Sequence, residues 1–88
     1  MNGEKAMVEY KHWTGTLEPG VALKRALDLE SQLVRHIEGG LKNKFRALYV
    51  DWPAFDRLDP ESQTIFEGVI QDVAEFGERL GVTVTFRR

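Results

Sequence analysis

The sequence predicts a small α/β domain: a two-layer βαβαβ unit with a three-stranded, mainly parallel sheet and two helices on one face. Two stretches with the apolar spacing of helices alternate with three short stretches rich in β-formers. The middle β-rich stretch is almost wholly apolar, which is typical of a central strand. Helices that join successive strands imply parallel pairing. We therefore expect residues 1–88 to form one domain.

The first strand is predicted in AMVEYKHW (6–13), where the residues alternate between two sides. Val8 and Tyr10 point to one side, and Glu9 and Trp13 point to the other. Such alternation in the outer strands indicates that the sheet face opposite the helices is partly open. We expect this face to carry polar groups and an aromatic residue such as Trp13, and to be a candidate surface for a dimer or a partner.

The first helix is predicted over residues 20–38. Pro19 suits its first turn, because the missing N–H would be unpaired there in any case. The glycine pair 39–40 predicts the end of the helix, since glycine favours the left-handed conformation common at helix C-termini. The predicted apolar stripe consists of Leu23, Ala26, Leu27, Leu33, Val34 and Ile37.

The second half begins with the central strand, predicted in ALYVDW (47–52). Asp59 is a predicted N-cap, Pro60 follows at the first helical position, and Gly81 ends the second helix. The last strand is predicted in VTVTFRR, with its valines and Phe86 pointing inward. The apolar stripe of the second helix is predicted to consist of Ile65, Phe66, Val69, Ile70, Val73, Phe76 and Leu80.

Charge is unevenly placed along the chain, although the net charge is only −2. Residues 58–78 contain six acidic residues and no basic one. Nucleic-acid binding needs clustered Lys and Arg, so we expect a protein partner with a basic surface and no direct contact with nucleic acid. The chain has no cysteine, no apolar run approaching about 20 residues, and a polar N-terminus, MNGEKAMVEY. We expect a cytoplasmic protein that does not insert into membranes.

Motifs for cofactors, metals and catalysis are missing from the sequence. It has no glycine-rich phosphate loop, and His12 and His36 lie on different elements without a carboxylate at ligand spacing. Ser31 lies mid-helix, and Ser62 has no histidine in its own segment. Asp51 ends the central strand, where sites of parallel α/β proteins lie, so a small enzyme that uses Asp51 is a third hypothesis. We expect no cofactor and no enzymatic activity.

The segment DWPAFDRLDPES (51–62) is the candidate site. Its two rings, Trp52 and Phe55, stand beside acidic residues and would form an aromatic patch with an acidic rim, a composition typical of binding hot spots. The alternative is that both rings fold back over the helix ends. The candidate partner-binding residues are Asp51, Trp52, Phe55, Asp59, Glu61 and Ser62.

Three motifs resemble the STAS domain, the module shared by sulfate transporters and anti-sigma factor antagonists. They are WTGTLEPG, LYVDWPAFDRLDPES with Asp51 and Asp59 eight residues apart, and ERLGVTVTF. The resemblance covers the order of elements over roughly residues 8–86 and implies a regulatory protein-interaction role. In regulatory members a Ser or Thr directly after the second Asp accepts phosphate. Here Ser62 is the first hydroxyl, and Glu61 is a permanent negative charge at the helix start.

A second resemblance is to barstar-type ribonuclease inhibitors. ALYVDWPAF, followed by an acidic helix and a final strand, is similar to the C-terminal half of that family. The resemblance covers about half of the chain and implies an inhibitor whose acidic surface blocks a basic enzyme.

Taken together, these features predict a non-catalytic, STAS-like module that docks a protein partner through the start of the second helix. A homodimer is a further possibility. The alternative is a small acidic inhibitor of a nuclease or another nucleic-acid enzyme, of the barstar-like or phage anti-defence type. Its acidic patch would consist of Glu67, Asp72, Glu75 and Glu78.

Overall fold

The computed structural model describes residues 6–88. The first five residues, which belong to the predicted domain and to the polar N-terminus, lie outside the described residues. The elements follow the predicted order and are β1 (Ala6–Tyr10), α1 (Pro19–Lys42), β2 (Ala47–Asp51), a 3₁₀ turn (Phe55–Arg57), α2 (Pro60–Arg79) and β3 (Thr83–Arg87).

The three strands form one parallel sheet in the order β1-β2-β3. Both helices pack against each other and contribute to a single core with the same face of the sheet. The predicted fold class, a two-layer βαβαβ unit with a three-stranded parallel sheet, is confirmed. The opposite face of the sheet is covered by no element of the described chain.

The predicted end of α1 at the glycine pair is wrong, because the helix continues through both glycines to Lys42. Gly40 is instead a packing residue: a Cβ atom there would overlap the side-chain end of Met7 on β1. Gly39 faces open space. The left-handed conformation that follows the helix is adopted by Lys44, with φ 65°.

The predicted apolar stripe of α1 is also partly wrong. Leu23 and Leu27 are 54% and 65% exposed, and Val34 is only half-buried. The true stripe is narrower and follows spacings of three and four residues, as expected for a helix that buries one side. It consists of Ala22, Ala26, Leu29, Leu33 and Ile37.

The second helix agrees closely with its prediction. Asp59 is the N-cap, Pro60 opens the helix, and Gly81 follows its end with φ 82°. Phe66, Ile70 and Val73 are buried, and Ile65, Val69 and Phe76 are partly buried against the core. Leu80 departs from the prediction, since it is 41% exposed. Gly77, which the apolar pattern did not include, is buried where α2 meets β3.

Trp13 lies on the helix side of the sheet, so its predicted place on the open face is wrong. Its ring centroid is 5.8 Å from that of Trp52 and 5.8 Å from that of Phe66. Lys11 and Arg25 each place a cationic group 5.0 Å from the Trp13 centroid. The ring is thus held between the core and two cations.

Candidate functional site

Trp52 is the centre of the core beneath the predicted site. Its side chain is fully buried, and its Nε1–H donates a hydrogen bond of 3.0 Å to the carbonyl oxygen of Trp13. The rings of Phe55 and Phe66 meet it edge-on, with centroids 5.1 Å and 5.0 Å away. Such aromatic contacts stabilise beyond the burial of area alone.

The two aromatic rings of the segment 51–62 therefore do not form a surface patch. Trp52 and Phe55 both have no exposed surface, which contradicts their predicted contact with a partner. The structure has the alternative arrangement, in which both rings fold inward. The physical reason is that this small core needs large side chains where the chain passes from β2 to α2.

Ser62 is buried as well, with 1% of its surface exposed. Its hydroxyl donates a hydrogen bond of 2.6 Å to Oδ1 of Asp59. The side chain is thus engaged in the cap of α2 and shielded from solvent.

Asp59 joins two parts of the chain. Its carboxylate accepts hydrogen bonds of 3.2 Å from the N–H groups of Ser62 and Leu17. A parallel bridge between Gly15 and Leu58 supports the same junction. The hydrogen bond from the Ser62 hydroxyl, aided by these N–H groups, lowers the pKa of Asp59, although burial opposes the shift. Asp59 is therefore accounted for as a cap and as an anchor of the loop before α1.

Glu61 and Asp51 are the remaining residues of the predicted set. Glu61 is exposed in the first turn of α2, where a negative charge suits the helix dipole. Asp51 lies on the other side of the sheet, on the open face, so the structure does not bring the six predicted residues together on one surface.

Asp51 forms a two-pronged ion pair with Arg87 across β2 and β3. Nε of Arg87 donates to Oδ1 at 2.5 Å, and Nη2 donates to Oδ2 at 2.7 Å. The hydrogen bonds from Arg87 lower the pKa of Asp51; burial opposes this shift, and the charge of Arg87 adds to it. A carboxylate that is ionised and already engaged at both oxygens is poorly suited to general acid–base work near neutral pH.

The open face of the sheet is a defined surface of three cross-strand rungs. From one end to the other these are Ala6–Ala47–Thr83, Val8–Tyr49–Thr85 and Tyr10–Asp51–Arg87. Val8 and Tyr10 are 55% and 59% exposed, whereas Tyr49 is half-buried beneath the guanidinium of Arg87, whose carbon lies 4.2 Å from the ring centroid. This surface is apolar and aromatic at its middle, with one ion pair at one end.

Sequence reasoning identified this face but missed most of its functional candidates. Among the residues of the open face, the predicted site included Asp51 but did not include Val8, Tyr10, Tyr49 or Arg87. The signal was available in the alternation of β1, but the side that the helices cover depends on the topology and not on the pattern itself.

At the Arg87 end of the open face there is an open depression of about 280 Å³. Pockets for small ligands are usually enclosed and measure about 300–1,000 Å³, so this depression does not favour a small-molecule site. Its lining residues are Tyr10, Asp51, Pro53, Arg87 and Arg88.

The acidic patch of the alternative prediction is exposed along α2. The helix has five carboxylates and a single arginine, Arg79. The negative charge of Glu67 is partly compensated, because Nη2 of Arg88 lies 3.5 Å from Oε2 of Glu67. Asp72, Glu75 and Glu78 remain at the surface, on the opposite layer from the open face.

Metal and membrane sites were sought among residues 6–88. No group of three or more His, Cys, Asp or Glu side chains there is arranged to hold a metal ion. Neither α1 nor α2, the helices of this range, combines the length and the apolar character needed to cross a bilayer.

Comparison with known proteins returned no relative: no family model matches the chain, and no curated protein or solved structure matches it. The STAS-like and barstar-like resemblances therefore stay predictions from the sequence motifs.

Proposed function

We propose that this chain is a non-catalytic protein-interaction module that docks a protein partner through the open face of its sheet. One observation carries the proposal. Parallel sheets are normally covered on both faces, yet this one leaves a face with exposed Val8 and Tyr10 uncovered by the described chain. Contiguous apolar surface of this kind is typical of interaction sites.

The proposal moves the docking surface away from the start of α2. The burial of Trp52, Phe55 and Ser62 removes three of the six predicted contact residues from the surface of the helix start. Asp51 is retained, because it lies on the open face beside Arg87. We assign no phosphate switch to Ser62, whose hydroxyl is enclosed and donates to Asp59.

A pull-down with matched baits tests this proposal. Val8 on the open face and Leu27 on α1 are exposed to similar extents, 55% and 65%. Val8→Glu and Leu27→Glu therefore make the same chemical change on opposite layers. The two variants and the wild-type chain are each used as bait in lysate of the source organism. The retained proteins are identified by mass spectrometry.

We expect the wild-type and Leu27→Glu baits to retain a protein that the Val8→Glu bait does not retain. An untagged copy of this chain would count as such a protein. Far-UV circular dichroism of all three baits checks that the fold is intact. If the Val8→Glu bait retains the same proteins as the wild type, the open face is not the docking surface.

The acidic inhibitor remains a second candidate, favoured by the exposed carboxylates of α2. Binding of this helix to a basic nucleic-acid enzyme would be steered by charge and would slow steeply as salt rises. The matched test is charge reversal of Glu75 and Glu78, compared with Val8→Glu. If the association rate changes neither with salt concentration nor with the charge reversal, the inhibitor role is contradicted.

A further inference from the structure

We propose that the outer edge of β3, with the groove between β3 and α2, binds an extended segment of another protein that carries a basic residue. The segment adds a fourth strand to the sheet. This site lies at the edge and on the helix side of β3, so it is separate from the open face and does not depend on docking there. Two features meet at the site: unused backbone hydrogen-bonding groups and a depression beside them.

The outer edge of β3 offers backbone groups to a further strand, since no strand of the described chain lies beyond β3. The N–H of Thr83 donates a hydrogen bond of 2.9 Å to the carbonyl oxygen of Arg46, and the carbonyl oxygen of Arg87 accepts one of 2.8 Å from the residue after β2. Backbone groups of successive strand residues point to alternate sides. The N–H and C=O groups of Val84 and Phe86 therefore point away from β2, where an added strand pairs with them.

A depression of about 400 Å³ lies on the helix side of this edge. Side chains of an added strand point alternately to the two faces of the sheet, so one of them enters the depression. Val84 lines the depression and also supplies backbone groups to the edge, so one bound segment makes both kinds of contact. No residue of β1, the other edge strand, lines it. The lining residues are Ala74, Glu78, Gly81, Val82, Thr83 and Val84.

The charge beside the depression specifies the occupant. Glu78 is its one charged lining residue, and Glu75 lies one turn earlier on the exposed side of α2. The ion pairs among residues 6–88 include neither carboxylate. The neighbouring Arg79 donates instead to the backbone carbonyl oxygen of Glu75, at 3.5 Å. A Lys or Arg placed two residues from the apolar residue of the added strand points to the same side and meets Glu78.

Selection from a phage-displayed library of random peptides of about ten residues, with the full 88-residue chain as bait, tests the proposal. We expect enriched peptides that are rich in β-formers and that place a Lys or Arg two residues from an apolar residue. The affinity of one such synthetic peptide is then measured by fluorescence anisotropy for the wild type and three variants.

The variants separate the groove from the rest of α2. Ala74→Lys places a long cationic side chain in the depression and should weaken binding of the peptide at least about tenfold. Glu78→Lys should weaken it about three- to tenfold, and this loss should shrink at high salt. Asp72→Lys makes the same charge reversal at an exposed position that does not line the depression, and should change the affinity less than about twofold. Far-UV circular dichroism checks that each variant is folded.

Amide hydrogen exchange of the complex reports on the added strand itself. The amide protons of Val84 and Phe86 should exchange at least about tenfold more slowly with peptide bound, because each then lies between two strands. Exchange at Val8, on the other edge strand, should not change. This readout does not depend on any substitution.

A selection that enriches no such peptide overturns the proposal, and so does binding that neither Ala74→Lys nor Glu78→Lys weakens. Unchanged exchange at Val84 and Phe86 in the complex has the same consequence. Self-association of the chain that Ala74→Lys abolishes also overturns it, because a second copy then occupies the edge. None of these outcomes decides docking on the open face, which the pull-down with Val8→Glu tests separately.

Discussion

The two faces of the sheet are built from alternate residues of the same three strands, yet their apolar side chains have opposite surroundings. On the covered face, Leu48 and Val50 have no exposed surface. On the open face, Val8 and Tyr10 leave more than half of their surface exposed. Hydrophobicity alone therefore does not decide burial here. The decisive factor is which side the two crossover helices cover, and the other side is left uncovered by the described chain.

The largest expected effect is on the covered face, at Trp52. Trp52→Ala removes the ring around which Trp13, Phe55 and Phe66 pack and should lower the free energy of unfolding by about 3–5 kcal/mol. Trp52→Phe, which keeps a ring, should lose less. Denaturant unfolding measures both. A loss below about 1 kcal/mol for Trp52→Ala contradicts the role of this residue as the core centre.

The next effect separates two helical glycines. A Cβ atom at Gly77 would lie 2.9 Å from the carbonyl oxygen of Val82 and 3.0 Å from a methyl group of Val84, so Gly77→Ala should destabilise by about 1–3 kcal/mol. Gly39 faces open space within α1, so Gly39→Ala should stabilise by up to about 1 kcal/mol. Thermal unfolding of the two variants checks the pair. Destabilisation by Gly39→Ala would indicate that the helix ends at the glycines after all.

A smaller, pH-dependent effect distinguishes the carboxylate Asp59 from its neutral analogue. Its pKa in the folded chain is below the usual value of 3.8, so its stabilising contribution is present above that value and is lost as pH falls through the lowered pKa. We expect the wild type to melt at a higher temperature than Asp59→Asn at pH 7, and this difference should close as pH falls through the lowered pKa of Asp59. A gap that is independent of pH would show that the carboxylate charge adds nothing.

The smallest effect on stability is expected on the open face. Val8→Glu and Tyr10→Ser remove no buried contact and should change the free energy of unfolding by no more than about 1 kcal/mol. Denaturant unfolding of the two variants and the wild type is the measurement. A loss above about 2 kcal/mol would mean that this face contributes to the core.

What the sequence could predict follows from how local each signal is. The start of α2 was predictable, because Asp59 and Pro60 act within one helical turn. The end of α1 was not, because Gly40 serves a close approach to Met7 on another element. The ion pair between Asp51 and Arg87 joins residues 36 positions apart and needs the register of β2 and β3.

The candidate site follows the same rule. An acidic, aromatic segment such as 51–62 shows which groups are present but not which way they point, and Trp52 and Phe55 point inward. The open face was predictable as a feature from strand alternation. On β3 its residues were predictable too, because Val84 and Phe86 were expected to point inward and do so. On β1 they were not, because Trp13 was expected on the open face and lies on the helix side.

The most direct test of the contrast between the two faces is the pull-down with the matched Val8→Glu and Leu27→Glu baits. We predict that Val8→Glu abolishes the retention of a protein that the wild-type chain and Leu27→Glu both retain. Retention that Val8→Glu leaves unchanged, or that charge reversal of Glu75 and Glu78 abolishes, would contradict the open face as the docking surface.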